Sequence, residues 1–192
     1  LMLCAILFPI LAGLGLAAWR PHGRIARQNY VLASACITAA LALWAVFTLR
    51  DGPLFTLLTM GAHLSIAFRV DGLSCLFAAL VSVLWPLACL YAVEYMSREG
   101  HENRFFTFYL ASFGVTLGIA FSANALTMYL FYELLTLATL PLVMHAMDSK
   151  VRYAGRVYLT YSMCGAALGF LAMVMPVSYT HLRAHETDSY LV

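Results

Sequence analysis

Between residues 1 and 175 the chain is a succession of apolar runs, each 17 to 23 residues long, broken by loops that hold nearly all of its charge. A helix of that length crosses a hydrocarbon core of about 30 Å at a rise of about 1.5 Å per residue. Within lipid every backbone N–H and C=O must be satisfied internally, so only helices or a closed barrel can span it. The ten-residue alternation of a barrel strand is absent from these runs. The runs are Leu1–Trp19, Tyr30–Leu49, Leu73–Val93, Phe105–Phe121, Ala125–Met147 and Val157–Met175. The fold class this predicts is all-α, a polytopic transmembrane bundle of about six helices. Composition agrees: only 10% of residues are charged, against about a quarter in a soluble domain, too few to cover the molecule with a solvated surface.

The loops set an orientation. The first, third and fifth carry Arg20, Arg24, Arg27, Arg98, Arg104, Lys150, Arg152 and Arg156, eight basic residues against Arg50 and Arg69 in the second and none in the fourth. Basic loops stay cytoplasmic. A multi-pass protein of a bacterial-type cell membrane is expected, with an outer N-terminus and odd loops inside. Leu1–Trp19 has no positive leading region and reads as a span, not a cleaved signal. The chain does not open on methionine, so either Met2 is its start or the reading frame begins upstream. In the long second loop, Leu64–Val70 partly alternates and suggests a short strand on the outer face. The fourth loop is only Ser122-Ala123-Asn124, which forces spans four and five into a tight antiparallel pair with Asn124 placed to cap the fifth helix.

Residues 1–176 form the membrane part. Val177–Val192 reads VSYTHLRAHETDSYLV, and its first eleven residues match a translated sequencing-library adapter residue for residue. It is expected to be foreign, with the natural chain continuing past Met175.

Glu133 is the only charged residue well inside a span. A carboxylate there costs at least about 2.5 kcal/mol on insertion scales, and such residues face a bundle interior and serve ion or proton paths. Burial disfavours the charged form, so the group is poised to take and release protons. Tyr129 at i−4 and Thr136 at i+3 share its helix side and are expected to support it by hydrogen bonding. The other reading of the residue is a protonated glutamate acting as polar glue between helices. Pro86 and Pro141 lie inside spans three and five, where each frees a carbonyl one turn earlier. Glu94, at the end of span three, and His145, twelve residues beyond Glu133, are further candidates for a proton path, and interfacial residues on the plainer reading. Gly114-xxx-Gly118 and Gly165-xxx-Gly169 have helix-packing spacing.

RVDGLS (Arg69–Ser74), LYAVEYM (Leu90–Met96) and RFFTFYLASFGVTLGIAFSANALTMYLFYELLTLATLPLV (Arg104–Val143) resemble the antiporter-like subunits shared by respiratory complex I, Mrp cation/proton antiporters and membrane-bound hydrogenases. That resemblance covers about residues 68–175. It implies a 14-helix subunit with two inverted five-helix repeats, of which this chain is an N-terminal fragment. It implies a key glutamate in the fifth span, at Glu133, and a seventh-span lysine beyond the residues present. It further implies partner membrane subunits, protons or Na+ as the cargo, and no cofactor of its own. The Mrp-like and hydrogenase-like branch is the nearer one.

The five cysteines lie singly in apolar runs with no CxxC, so neither disulfides nor a metal cluster is expected. No Walker or dinucleotide motif and no basic stripe for nucleic acid is present. The function read from the sequence is therefore proton or Na+/H+ translocation. The alternatives are a non-conducting structural component of such a complex and an unrelated secondary transporter.

Overall fold

The structure is a computed structural model that describes residues 1–19, 23–50, 52–59, 65–96, 98, 100–144 and 149–189, with the side chains of 149, 150, 152 and 173–189 excepted. Two compact units divide at Met147 and Asp148. The first holds α1 (Met2–Trp19), α2 (Arg24–Leu49), β1 (Phe55–Thr59), β2 (Ser65–Phe68), α3 (Gly72–Met96), α4 (Glu102–Ala120) and α5 (Ala125–Val143). The second is the single helix α6 (Ser149–Ser189).

The all-α polytopic architecture is as predicted, and four helices, α1, α2, α3 and α5, are long and apolar enough to cross a membrane among the described residues. Helix α4 is not one of them, although it packs against α1, α2, α3 and α5. Its first turn carries Glu102 and Arg104, and Thr107, Ser112 and Thr116 interrupt its apolar surface. Those three hydroxyls donate to the carbonyls of Asn103, Phe108 and Ser112 at 2.7–2.8 Å, so each is satisfied within its own helix. Hydropathy reads the mean character of a segment, and a helix covered by protein need not be as greasy as one covered by lipid.

Close approach of α1 and α4 rests on two glycines. A Cβ at Gly114 would collide with the Ile6 carbonyl oxygen, and one at Gly13 would lie 2.6 Å from that of Thr107. The two contacts are seven residues apart on each helix and run antiparallel, so the backbones touch along two turns. Hydrophobic packing gathers around this seam in two groups. One joins Ile6, Phe113, Leu117 and Phe121 to Phe68 of β2, and the other joins Leu16, Val31, Met96, Phe106 and Leu110.

The described residues of the second loop hold two strands where the sequence indicates one. β2 covers part of the expected strand, and it pairs antiparallel with β1 in the register Phe55↔Phe68, Thr56↔Ala67, Leu58↔Ile66 and Thr59↔Ser65, with an irregularity at Leu57. β1 is missed by period because FTLLT does not alternate, and all five of its residues are exposed. Asp71 then starts α3. Its carboxyl accepts the Ser74 N–H at 2.8 Å and its carbonyl accepts the Cys75 N–H, while the Ser74 hydroxyl reaches back to the Arg69 carbonyl. The Ser74 N–H bond, then the Ser74 hydroxyl and the Arg69 charge, hold the Asp71 carboxyl below its ordinary range. RVDGLS is thus a helix-start device.

Span ends differ from those predicted by a few residues. The sixth differs more, because α6 runs beyond Val157–Met175 at both ends and continues as helix to Ser189, inside the stretch read as adapter.

Candidate functional site

The turn between α4 and α5 and the β-hairpin are built as one piece. Asn124 caps α5 as expected, accepting the Thr127 N–H at 2.8 Å, and its amide donates to the Ser65 carbonyl at 2.7 Å. The Thr127 hydroxyl accepts the Ala67 N–H, the Ala67 carbonyl accepts the Ala123 N–H, and the Phe121 carbonyl accepts the Arg69 N–H, all at 2.9–3.0 Å. These bonds fix where α5 enters the bundle.

Glu133 follows nine residues after the cap, about 14 Å along the helix and so near the middle of α5. Its Oε1 is buried and has no hydrogen-bond partner among the described residues. The side chain borders a cavity of about 440 Å³ walled by α1, α5 and the hairpin, and it is the one polar residue among the described lining. Leu3, Ile6 and Leu7 come from α1, and Leu57, Ile66 and Phe68 from the hairpin. The carboxyl oxygen is buried beside this apolar cavity, and a buried polar atom without a partner is costly to leave unsatisfied.

Of the expected supports, Tyr129 lies half-buried one turn before Glu133. Thr136 is buried, but its hydroxyl donates to the Tyr132 carbonyl at 3.2 Å, so its proton is spent on its own helix and not on Glu133. The i−4 carbonyl is the acceptor within easiest reach of a helical threonine. Pro141 sits inside α5 and leaves the Leu137 carbonyl without its helical donor, and Leu137 lines the Glu133 cavity. Glu94 is exposed in the last turn of α3, where the interfacial reading fits it. His145 and His63 lie outside the described residues.

A second cavity, of about 830 Å³, opens at the other end of the bundle, where α1 ends and α4 begins. Arg27 forms an ion pair with Glu102 there, and its Nε donates to Oε2 at 3.1 Å. An Nη of Arg104 donates to the Met144 carbonyl at 3.3 Å, satisfying the end of α5. Asn103 Oδ1 and Arg104 Nε are buried and unpartnered among the described residues. Sequence reasoning took Arg27 and Arg104 only as markers of orientation and passed over Glu102. An acidic residue in a first helical turn is a readable signal, but a pairing 75 residues apart is not. Ile10, Leu14 and Ala17 line this cavity and share one stripe of α1 with Leu3 and Leu7, so the two cavities succeed each other along that helix.

Comparison with known proteins agrees with the resemblance read from the sequence. Residues 57–106 match the family model for the N-terminus of NADH-ubiquinone oxidoreductase (complex I) chain 5. The chain is similar to a probable K(+)/H(+) antiporter subunit of Rhizobium meliloti, at 31% identity over 58% of this chain and 11% of that protein. It is similar to a Na(+)/H(+) antiporter subunit of Alkalihalophilus pseudofirmus, at 39% identity over 36% of this chain and 9% of that protein. Its fold is shared with a chain of respiratory complex I from Thermus thermophilus, with a TM-score of 0.68 and 24% identity over 86% of this chain and 33% of that one. A chain of the archaeal membrane-bound sulfane sulfur reductase gives a TM-score of 0.69 at 13% identity, over 86% of this chain and 34% of that one. The chain spans about a tenth of the length of the curated relatives it matches.

Proposed function

We propose that this chain is part of an ion-translocating membrane subunit, one that moves protons or exchanges them for sodium, with Glu133 as the protonatable switch. The observation that carries this reading is the buried carboxyl oxygen of Glu133, unpartnered among the described residues beside an otherwise apolar cavity, about halfway along a helix long and apolar enough to cross a membrane. Such an oxygen gains most from a proton or a small cation, and a site that alternately holds and releases one is the core of a translocation step. The relatives named as Na(+)/H(+) and K(+)/H(+) antiporter subunits favour the same cargo and an assembly with other membrane subunits. The loop charges favour an inner face at the Arg27 end and an outer face at the hairpin. On this reading residues 177–192 are adapter and take no part.

Glu133→Gln tests the proposal. It keeps the shape of the side chain and removes the titrating group. The variant is expected to assemble at normal levels on native gels and to lose proton transport into vesicles by on the order of a hundredfold, the size of a lost proton-transfer group. Full transport by an assembled Gln variant overturns the reading.

A further inference from the structure

We propose that Phe68 and Phe131 set the sidedness of Glu133, forming an apolar seal that closes its cavity to water from the hairpin side. The inference rests on the reading of Glu133 as a residue that exchanges protons, for which the face that supplies water decides the direction of transport.

At the hairpin end, Ser65, Asn124 and Thr127 form the polar junction between β2 and the α4–α5 turn. Glu133 lies deeper, and the residues between are Ile66, Phe68, Leu130 and Phe131, all apolar and all lining its cavity. Phe68 is 1% exposed although it ends a strand in a loop. Its ring meets that of Phe131 edge-on, with centroids 5.6 Å apart. The backbone around Phe68 cannot drift, because the bonds of Ala67 and Arg69 to the α4–α5 turn hold it from both sides, and Phe68 itself bridges Ser122.

Phe131 is held from the opposite side. A Cβ on Gly118 would collide with the Phe131 ring, so the ring occupies the volume that any side chain at 118 would need. Gly118 of α4, Phe131 of α5 and Phe68 of the hairpin thus stack across three elements. The Gly114-xxx-Gly118 spacing therefore serves two contacts, the first glycine seating α1 and the second seating this ring. Water chains need polar groups to hold them, and an apolar layer of packed rings offers none. Replacing either ring with alanine opens a cavity beside Glu133 and removes the barrier.

The test is chemical access. In the full subunit in native membranes, with the natural cysteines replaced, Glu133→Cys is exposed to a membrane-impermeant methanethiosulfonate applied from the hairpin side. The expected result is slow labelling with both rings present. Phe68→Ala or Phe131→Ala is expected to raise the rate by about tenfold or more, since loss of a buried ring weakens local packing substantially. Phe131→Leu, which refills most of the volume, restores slow labelling and shows that the Ala effect is not gross misfolding. Leu137→Ala, at the far side of the same cavity, leaves hairpin-side labelling unchanged. Unchanged labelling in both assembled Ala variants, or an equal rise in Leu137→Ala, overturns the seal. Labelling does not require transport, so loss of the Glu133 reading through a fully active Gln variant and loss of the seal are separate results.

Discussion

Helices α4 and α5 are the same length, 19 residues, and lie side by side, yet they solve opposite problems. α4 buries nine residues in the first unit, among them Gly114, Ser112 and Thr107. α5 buries only Thr127 and Thr136, and Met128, Tyr132, Leu134 and Leu137 are exposed. By hydropathy α5 qualifies as a membrane span and α4 does not. The difference teaches that apolar character marks the surface a helix gives to lipid or to another protein, whereas small and self-bonded polar residues mark the surface it gives to its own neighbours. The candidate carboxylate sits on the less covered helix, beside the apolar cavity that α5 shares with residues of α1 and the hairpin.

The largest effect is expected at the centre of α4. Gly114→Ala would drive a methyl into the Ile6 carbonyl oxygen, and backbone cannot swing aside as a side chain can. Helices α1 and α4 must separate, at a cost of about 3 kcal/mol or more, beyond the upper part of the ordinary overpacking range. A marked loss of thermal stability in detergent, together with poor assembly, is the expected result. A neutral Gly114→Ala would show that the α1–α4 seam has room to give and would erase the contrast between the two helices.

A matched pair measures the contrast itself. Leu110→Ala on α4 removes a fully buried side chain and is expected to cost about 3 kcal/mol, within the range for leucine truncation in a packed core. Leu134→Ala on α5, at 48% exposed, is expected to cost under about 1 kcal/mol. Unfolding of the two variants in the full subunit checks both. Equal costs would mean that protein covers the bare face of α5 in the complete assembly, which sharpens the comparison by assigning that face to a protein partner in place of lipid.

The same pair of helices shows what was legible in the sequence. The number of helices, the short four–five turn and the Asn124 cap depend on local pattern, and they could be read, although only four of the six expected spans qualify by length and hydropathy among the described residues. So could Glu133, because a charge inside an apolar run is conspicuous wherever it folds. The hairpin partner β1 could not be read, since its strand identity comes from pairing with β2 and not from alternation. Glu102 and the ring seat at Gly118 were also hidden. Each gains its meaning from a neighbour far along the chain, Arg27 in one case and the Phe131–Phe68 pair in the other. The role expected of Thr136 is not seen for a local reason, because its hydroxyl donates to the Tyr132 carbonyl of its own helix.

The smallest expected effect lies at the helix starts. α5 begins at Asn124, whose side chain both caps the helix and ties it to Ser65. α4 begins at His101, with φ of 61° and no side-chain cap. Asn124→Ala should destabilise by about 1 kcal/mol or slightly more, the loss of a cap and of one bond to the hairpin. His101→Gly should be neutral or stabilising by up to about 1 kcal/mol, because glycine adopts the left-handed conformation without a Cβ penalty. Opposite signs in the two variants, read as shifts in thermal midpoint, would show that α5 is positioned by its cap whereas α4 is positioned by what packs around it. If His101→Gly is as harmful as Asn124→Ala, the imidazole makes a contact at the α4 end that matters, and the cavity beside Arg27 and Glu102 becomes the place to look for it.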